Sequence, residues 1–345
     1  MKALVYKGPH ALGLESRPIP DIVNPTDCIV KVALASVCTS DVHIREGFIP
    51  RAVPGTVLGH EFVGVVYKTG SGIRRVKAGD RVAASCLTIC GECLFCKSQN
   101  FNCCTRGGWN IGCCKDGGLA EYVRVELADS SLDVIPDGLS FKNCLLVGDI
   151  LASGLFGVEM VGPLVRNQCV LVIGAGPVGQ CAGLIARNVY KARVSMVDVG
   201  PASRLRLAEE NGACDAGFGS YTELDDFVST LDLGGFDSVI ECSGARGIVQ
   251  VCQKYCRKCG TIGLVGMFDR PEPLDLVNYY GKNQTVRYGG CNAGHGAEIM
   301  DWIQKGLIST DYMVSREFGL DEVDEAIRVF ETEKDSVMKV AIRME

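Results

Sequence analysis

Residues 169–186 read CVLVIGAGPVGQCAGLIA. The run is apolar and about long enough to cross a bilayer. Yet it carries Gly174, Gly176, Pro177, Gly179, Gln180 and Gly183. Five apolar residues followed by a glycine cluster fit a buried strand, a tight turn and a helix better than one membrane span. Gly174, Gly176 and Gly179 have the G-x-G-x-x-G spacing. Glycines there let the backbone approach a pyrophosphate, and the following helix start offers free N–H groups and a partial positive charge. The next strand-like run, VSMVDVG, ends in Asp198, 24 positions beyond Gly174. An acid about 20 residues on accepts hydrogen bonds from a ribose 2′-hydroxyl and repels a 2′-phosphate. The expected cofactor is therefore NAD, with NADP second because Arg204 follows six positions later.

The pattern continues on both sides. From about residue 150, strand-like runs alternate with helical ones: DILASGLFGVEMVG as helix, RVSMVDVG as strand, SRLRLAEENGA as helix, DSVIECSG as strand, a helix near residues 248–258, then TIGLVGMF and TVRYGGC as strands. Such alternation builds a parallel, doubly wound sheet. Residues 1 to about 150 differ. ALVY, CIVKVALASV, FVGVVYKTG and DRVAAS are short β-like runs punctuated by Gly, Pro and Asn, and helical pattern is sparse. Beyond about 290, AEIMDWIQKG and DEVDEAIRVFE read as helices and MKVAIRM as a last strand. The expected fold class is α/β, with a β-rich domain at 1–150, a dinucleotide-binding domain at 151–290 and residues 291–345 returning to the first.

The 345 residues carry a net charge of −6, which argues against nucleic acid or an anionic membrane as partner. MKALVYKGPHALG lacks the continuous apolar core of a secretory leader. Nineteen cysteines, an odd number scattered along a chain of this size, suggest thiols and metal ligands in a reducing cytoplasm rather than a disulfide framework.

Two cysteine groupings stand out. SCLTICGECLFCKSQNFNCC, residues 85–104, places Cys90, Cys93, Cys96 and Cys104 at C-x2-C-x2-C-x7-C spacing. Four thiolates so spaced can close a tetrahedron around zinc, leaving no open position, so the lobe at about 86–114 would be stapled rather than catalytic. An iron–sulfur cluster uses similar ligands, and Cys103 is an alternative fourth thiolate. CQKYCRKC, with Cys252, Cys256 and Cys259, imitates a cluster motif but falls in the helix before a sheet strand, and is read as coincidence.

Of four histidines, two sit in suggestive company: CTSDVH gives Cys38, Ser40, Asp41 and His43, and GHEFVG gives His60 and Glu61. VGDILASG adds Asp149. One thiolate, one imidazole and one carboxylate make an open zinc site, with a fourth position for water or alcohol.

CTSDVH, GHEFVG, VKAGDRV, the four-cysteine lobe, DGGLAEYVRV, GAGPVG and DSVIECSG occur in an order and spacing that resembles the zinc-dependent medium-chain alcohol dehydrogenase superfamily over essentially the whole chain, in particular its secondary-alcohol, polyol and threonine dehydrogenase-like branches. The resemblance implies a GroES-like catalytic domain joined to a Rossmann domain. It implies two zinc ions per chain: a catalytic one on Cys38, His60 and Asp149, with Glu61 as occasional ligand, and a structural one on the four-cysteine lobe. It implies that Ser40 takes the alcohol proton and His43 relays it, that Asp41 orients His60, that Trp109 lines the substrate pocket, and that Gly174, Gly176, Pro177, Val178, Gly179, Asp198, Arg204 and Val265 hold the dinucleotide. The implied reaction moves a hydride between a zinc-held alcohol and nicotinamide, with a small secondary alcohol or polyol first in order of expectation, in a homodimer or homotetramer. The rival expectation is a nucleotide-binding redox sensor or structural protein of the same fold.

Overall fold

The structure, a computed structural model, describes residues 1–344. The chain divides into two compact units: Met1–Ala152 together with Asn292 to the C-terminus, and Ser153–Cys291. Strands β1 (Lys2–Gly8), β2 (Ala11–Ser16), β3 (Cys28–Ser36), β4 (Glu61–Thr69), β5 (Arg81–Ala84), β6 (Tyr122–Val125) and β7 (Leu132–Val134) lie in the first unit. The second holds β8 (Cys169–Ile173), β9 (Arg193–Val197), β10 (Ala216–Phe218), β11 (Phe236–Glu241), β12 (Cys256–Leu264) and β13 (Thr285–Tyr288). The first unit resumes with β14 (Val314–Gly319) and β15 (Lys339–Arg343).

The second unit is a six-stranded parallel sheet in the order β10-β9-β8-β11-β12-β13. Numbered from its own first strand, that is 3-2-1-4-5-6, the order of a Rossmann dinucleotide fold. Strand β8 is apolar throughout, and both β8 and β11 are buried on both faces, as a parallel sheet covered by helices requires. Leu171, Ile173, Val197, Val239 and Ile262 pack with Cys252 and Tyr255 from the helix Ile248–Tyr255. The topological switch lies between β8 and β11, where Ile173 pairs with Glu241.

In the first unit β14-β15-β3-β4-β5-β7 form one sheet, with β6 also pairing β3, and β1 and β2 form a hairpin. Strand β3 is antiparallel to β4, with Ser36 opposite Glu61, and antiparallel to β15, with Ser36 opposite Ala341. The end of β3, the start of β4 and the start of β15 therefore share one end of the sheet. Strand β5 adds Ala83 opposite Val63. Its own end receives the single π-helical turn Val147–Leu151, whose Gly148 carbonyl accepts from the Cys86 N–H at 3.0 Å. A Cβ at Gly148 would stand 1.8 Å from the Ala84 carbonyl oxygen, so only glycine lets this turn dock. The helical stretch Phe141–Met160 is long and apolar enough to cross a membrane by composition, but most of it is buried within the protein.

Two expectations about elements need correction. The helix expected near 248–258 ends at Tyr255, and Cys256 begins β12. The strand accommodates an irregularity: Phe236 pairs with Cys256 but Ser238 with Thr261, and Cys259 takes a positive φ of 56°. Cys252 and Cys256 are buried in the core and Cys259 is exposed. Among the described residues these three form no ligand cluster. Second, the sparse N-terminal region contains a helix, Thr39–Arg45, which the β-like texture around it concealed.

Candidate active site

The sheet end just described gathers the chemistry. Cys38 follows β3 and caps the helix Thr39–Arg45; His60 precedes β4 and Glu61 opens it; Asp149 comes in on the turn held by Gly148. Ligand atoms of Cys38, His60, Glu61 and Asp149 all lie within 4.8 Å of one another. Cys38 Sγ is 3.7 Å from Asp149 Oδ2, and that oxygen is 3.4 Å from His60 Nε2. Ser40 Oγ also meets His60 Nε2, at 3.2 Å.

Asp41 holds the frame. Its carboxylate accepts from the Cys38 N–H at 2.9 Å, reaching back over the first helical turn as a capping-box side chain does, and from the Gly59 N–H at 3.2 Å. Its Oδ1 stands 3.8 Å from His60 Nδ1, an ion-pair separation too long for a hydrogen bond, and among the described residues Nδ1 has no hydrogen-bond partner. His43 lies on the same helix with its ring edge-on to Phe48, centroids 6.0 Å apart. Trp109 sits edge-on to His60 at 5.8 Å.

A buried lysine that the sequence reading did not single out completes the group. Lys339 opens β15, and the β15–β3 register brings it beside the segment after Ser36. Its Nζ donates to the Val37 carbonyl at 3.1 Å and to both Glu61 oxygens at 2.6 and 2.8 Å. No local pattern flags it: a lysine heading an apolar strand looks like an ordinary strand end.

The electrostatics follow from three acidic groups crowded out of water. Burial raises the Cys38 thiol, with Lys339 pulling against it. Burial opposes charge on His60, but Asp149 and Cys38 outweigh it and hold its pKa well above the ordinary value. Burial would raise Asp149 too; His60 and Lys339 instead keep it below the usual carboxylate range. Burial pushes Glu61 up to about 7 against the attraction of Lys339. A thiol, an imidazole and two carboxylates converging on one point form a donor set that suits zinc.

In the lobe, Cys90, Cys93, Cys96 and Cys104 form a second ligand cluster. Cys93 and Cys96 sulfurs are 3.5 Å apart, Cys90 and Cys96 3.8 Å. Ligands on a tetrahedron with zinc–sulfur bonds of about 2.3 Å are separated by roughly 3.8 Å, whereas a disulfide needs about 2.05 Å. The Thr105 and Cys96 backbone N–H groups lower the Cys93 thiol to about 5. Cys103 is exposed and outside the cluster.

In the second unit the glycine turn is built as a cradle. Gly174 has φ +98°, and a Cβ on Gly179 would stand 1.8 Å from the Gly174 carbonyl oxygen, so the helix Pro177–Leu184 packs hard on the turn. A Cβ on Gly176 would meet nothing within 4 Å: the space in front of it is open. Gly176 is the N-cap, with Pro177 and Val178 opening the helix. Asp198 Oδ2 accepts from the Ala175 N–H and Oδ1 from the Gly200 N–H, both at 2.7 Å, which ties the acid to the turn. Arg204 Nε is buried without a partner among the described residues. The Val265 N–H donates to the Glu241 carbonyl at 2.9 Å, beside the switch point.

Comparison with known proteins agrees with this reading of the fold. Residues 24–136 match the family described as alcohol dehydrogenase GroES-like domain, and residues 177–305 that described as zinc-binding dehydrogenase. Zinc-type alcohol dehydrogenase B of Aspergillus flavus is 34% identical over 352 residues, covering 99% of this chain and 81% of that protein. Two solved structures superpose over the whole chain. A short chain alcohol dehydrogenase (rspB) from Escherichia coli CFT073, complexed with NADH, has a TM-score of 0.90 and 26% identity, covering 100% of this chain and 99% of the other. A zinc-binding dehydrogenase from Sinorhizobium meliloti 1021, bound to NADP, has a TM-score of 0.85 and 26% identity, covering 99% and 98%. Fold and donor set together define a metal-dependent oxidoreductase of two domains, GroES-like and Rossmann. The chain belongs to the zinc-dependent medium-chain alcohol dehydrogenase family.

Proposed function

We propose that the protein is an NAD(H)-dependent alcohol dehydrogenase and carbonyl reductase acting on a small secondary alcohol or polyol. The observation that carries this is the convergence of Cys38, His60 and Asp149, with Glu61, within 4.8 Å at one end of the sheet. Zinc held by Cys38, His60 and Asp149 would act as a Lewis acid on the substrate oxygen. Cys38 and Asp149 supply negative charge, and His60 a neutral nitrogen once its proton is displaced. Ser40, whose hydroxyl lies 3.2 Å from His60 Nε2, accepts the hydroxyl proton of the substrate while passing its own proton on. His43 hands that proton on to solvent. Asp41 keeps Cys38 and His60 in register through its bonds to the Cys38 and Gly59 amides. Glu61, held by Lys339, lends negative charge beside the ligands.

NAD would accept the hydride. Gly174, Gly176, Pro177, Val178 and Gly179 present backbone to its pyrophosphate, Asp198 accepts from its ribose, and Val265 lines the nicotinamide side. Arg204 is the group that a 2′-phosphate would meet, so NADP is the second choice. The four-cysteine lobe takes the second, structural zinc. We read the chain as a cytoplasmic homodimer or homotetramer. The deciding experiment follows reduced-cofactor absorbance with a panel of secondary alcohols, polyols and their carbonyl partners, each with NAD and NADP. Turnover of none of them by the zinc-loaded protein would overturn the reading.

A further inference from the structure

We propose that Arg51 is an anion-recognising subsite beside the active centre, so that the alcohol this protein prefers carries a carboxylate or phosphate group. The inference rests on the dehydrogenase reading above and narrows its substrate.

Arg51 sits at the edge of the site with its charge uncommitted. Its guanidinium carbon lies 4.7 Å from the centroid of the Trp109 ring. It donates to the Trp109 carbonyl and comes within 3.9 Å of Cys114 Sγ. Among the described residues no carboxylate pairs with it. Many arginines of this acidic chain hold a carboxylate, among them Arg17, Arg45, Arg106, Arg124, Arg187, Arg257 and Arg328. Arg81 resembles Arg51 in lying over an aromatic ring and donating to a backbone carbonyl, but its ring is Phe141, which has no N–H to offer a ligand. A guanidinium has five N–H donors in a planar fork that matches carboxylate and phosphate. Stacking on Trp109 and the bond to its carbonyl fix that fork in place while leaving donors free.

Trp109 links this cation to the chemistry. Its ring lies edge-on to His60 at 5.8 Å, so a single indole separates the guanidinium from a proposed metal ligand. The indole Nε1–H is buried and has no acceptor among the described residues. Buried donors are nearly always paired, and a donor left open beside an uncommitted cation is suited to an oxygen of a bound molecule. Two donor groups with no acceptor between them select for an oxygen-rich anion over a neutral hydroxyl. The substrate class is therefore a hydroxy acid or a phosphorylated polyol, its anionic end a few bonds from the carbon that reacts.

The test uses the zinc-loaded full-length protein and a matched trio: propylene glycol, its monophosphate and lactate. Wild type should oxidise at least one anion with a kcat/KM roughly tenfold or more above the glycol, since charge-assisted hydrogen bonds of this kind are worth about one to two orders of magnitude. Arg51→Gln should lower the ratio of anion to glycol by a similar factor, chiefly through KM, and Arg51→Lys should restore part of it. Which anion responds separates carboxylate from phosphate. Tryptophan fluorescence, titrated with each anion, gives a second readout. A wild-type preference for the glycol, or a ratio unmoved by Arg51→Gln, would overturn the proposal. If nothing is oxidised but an anion still binds in an Arg51-dependent way, the dehydrogenase reading falls and the subsite stands. If neither occurs, both fall.

Discussion

Lys339 Nζ lies 2.6 and 2.8 Å from the two carboxylate oxygens of Glu61, and both residues are 1% exposed. The pair joins the first residue of β15 to the first of β4 across 278 positions of sequence. Removing one member of a buried pair leaves the other charge uncompensated, at a cost of about 3–5 kcal/mol. Lys339→Met should lose about that much stability, and Lys339→Met with Glu61→Gln should lose less than the single change. The deficit should also depend on pH. Burial already pushes Glu61 up to about 7 with Lys339 present, and without the ammonium it rises further. A carboxyl whose folded pKa exceeds its unfolded value binds more protons when folded, so its contribution is present at low pH and lost as pH rises. Denaturant unfolding of the variant should show a smaller deficit near pH 5 than near pH 8. A deficit that shrinks as pH rises would contradict this account of the pair.

Much of this was legible in the sequence, because its carriers are local. The glycine turn, the acid closing the next strand and the C-x2-C-x2-C spacing are set within one or two elements, and each needs specific residue types for steric or ligand reasons. Cys38, His60 and Asp149 could be nominated from their company, but the register that joins them, Ser36 opposite both Glu61 and Ala341, is a property of the folded sheet. Lys339 was invisible for that reason: its partner is chosen by β15 pairing with β3. Arg51 and Trp109 meet across 58 positions through a loop with no periodicity to read. The helix Thr39–Arg45 was missed because seven residues hold too little pattern, and its Asp41 cap resembles any turn acid. The boundary at Cys256 slipped because YCRKCG suits a helix end and a strand start alike, and sheet pairing with Phe236 decides it.

The cysteine lobe should be a staple. Its four thiols converge from a segment containing only a four-residue helix and a three-residue turn, too little structure to hold itself. Cys93→Ser should remove one of two zinc ions per chain and lower the thermal midpoint by on the order of 10 °C. Turnover per correctly folded molecule should change far less. Metal analysis beside a melting curve checks both, and a variant that is zinc-depleted yet fully stable would argue against a staple.

Ligand and proton carrier should separate cleanly at the other centre. Cys38→Ala or Asp149→Ala should remove the catalytic zinc and cut kcat/KM by more than about a thousandfold, since polarisation of the substrate oxygen is worth several kcal/mol. Fluorescence of bound reduced cofactor should persist, because the glycine turn belongs to the other unit. Ser40→Ala should keep both zinc ions and lose on the order of a hundredfold in kcat, the scale of one positioned proton carrier. Loss of zinc in Ser40→Ala, or turnover retained in Cys38→Ala, would reverse the assignment.

Cofactor choice should turn on Asp198. Its two oxygens are each engaged once, by the Ala175 and Gly200 amides at 2.7 Å. A carboxylate has about four acceptor positions, so capacity remains for a ribose diol, while its charge repels a 2′-phosphate. Asp198→Asn keeps an acceptor oxygen but cancels the charge and introduces donors. Arg204, with its Nε unpartnered among the described residues, stays six positions on. The ratio of kcat/KM for NAD to that for NADP should fall about ten- to hundredfold, the worth of a hydrogen bond to a charged group. Most of the change should sit in the two KM values, because the nicotinamide end is untouched. Arg204→Leu in the Asp198→Asn background should then withdraw the gained NADP activity. An unchanged ratio in Asp198→Asn would mean that the ribose is read elsewhere.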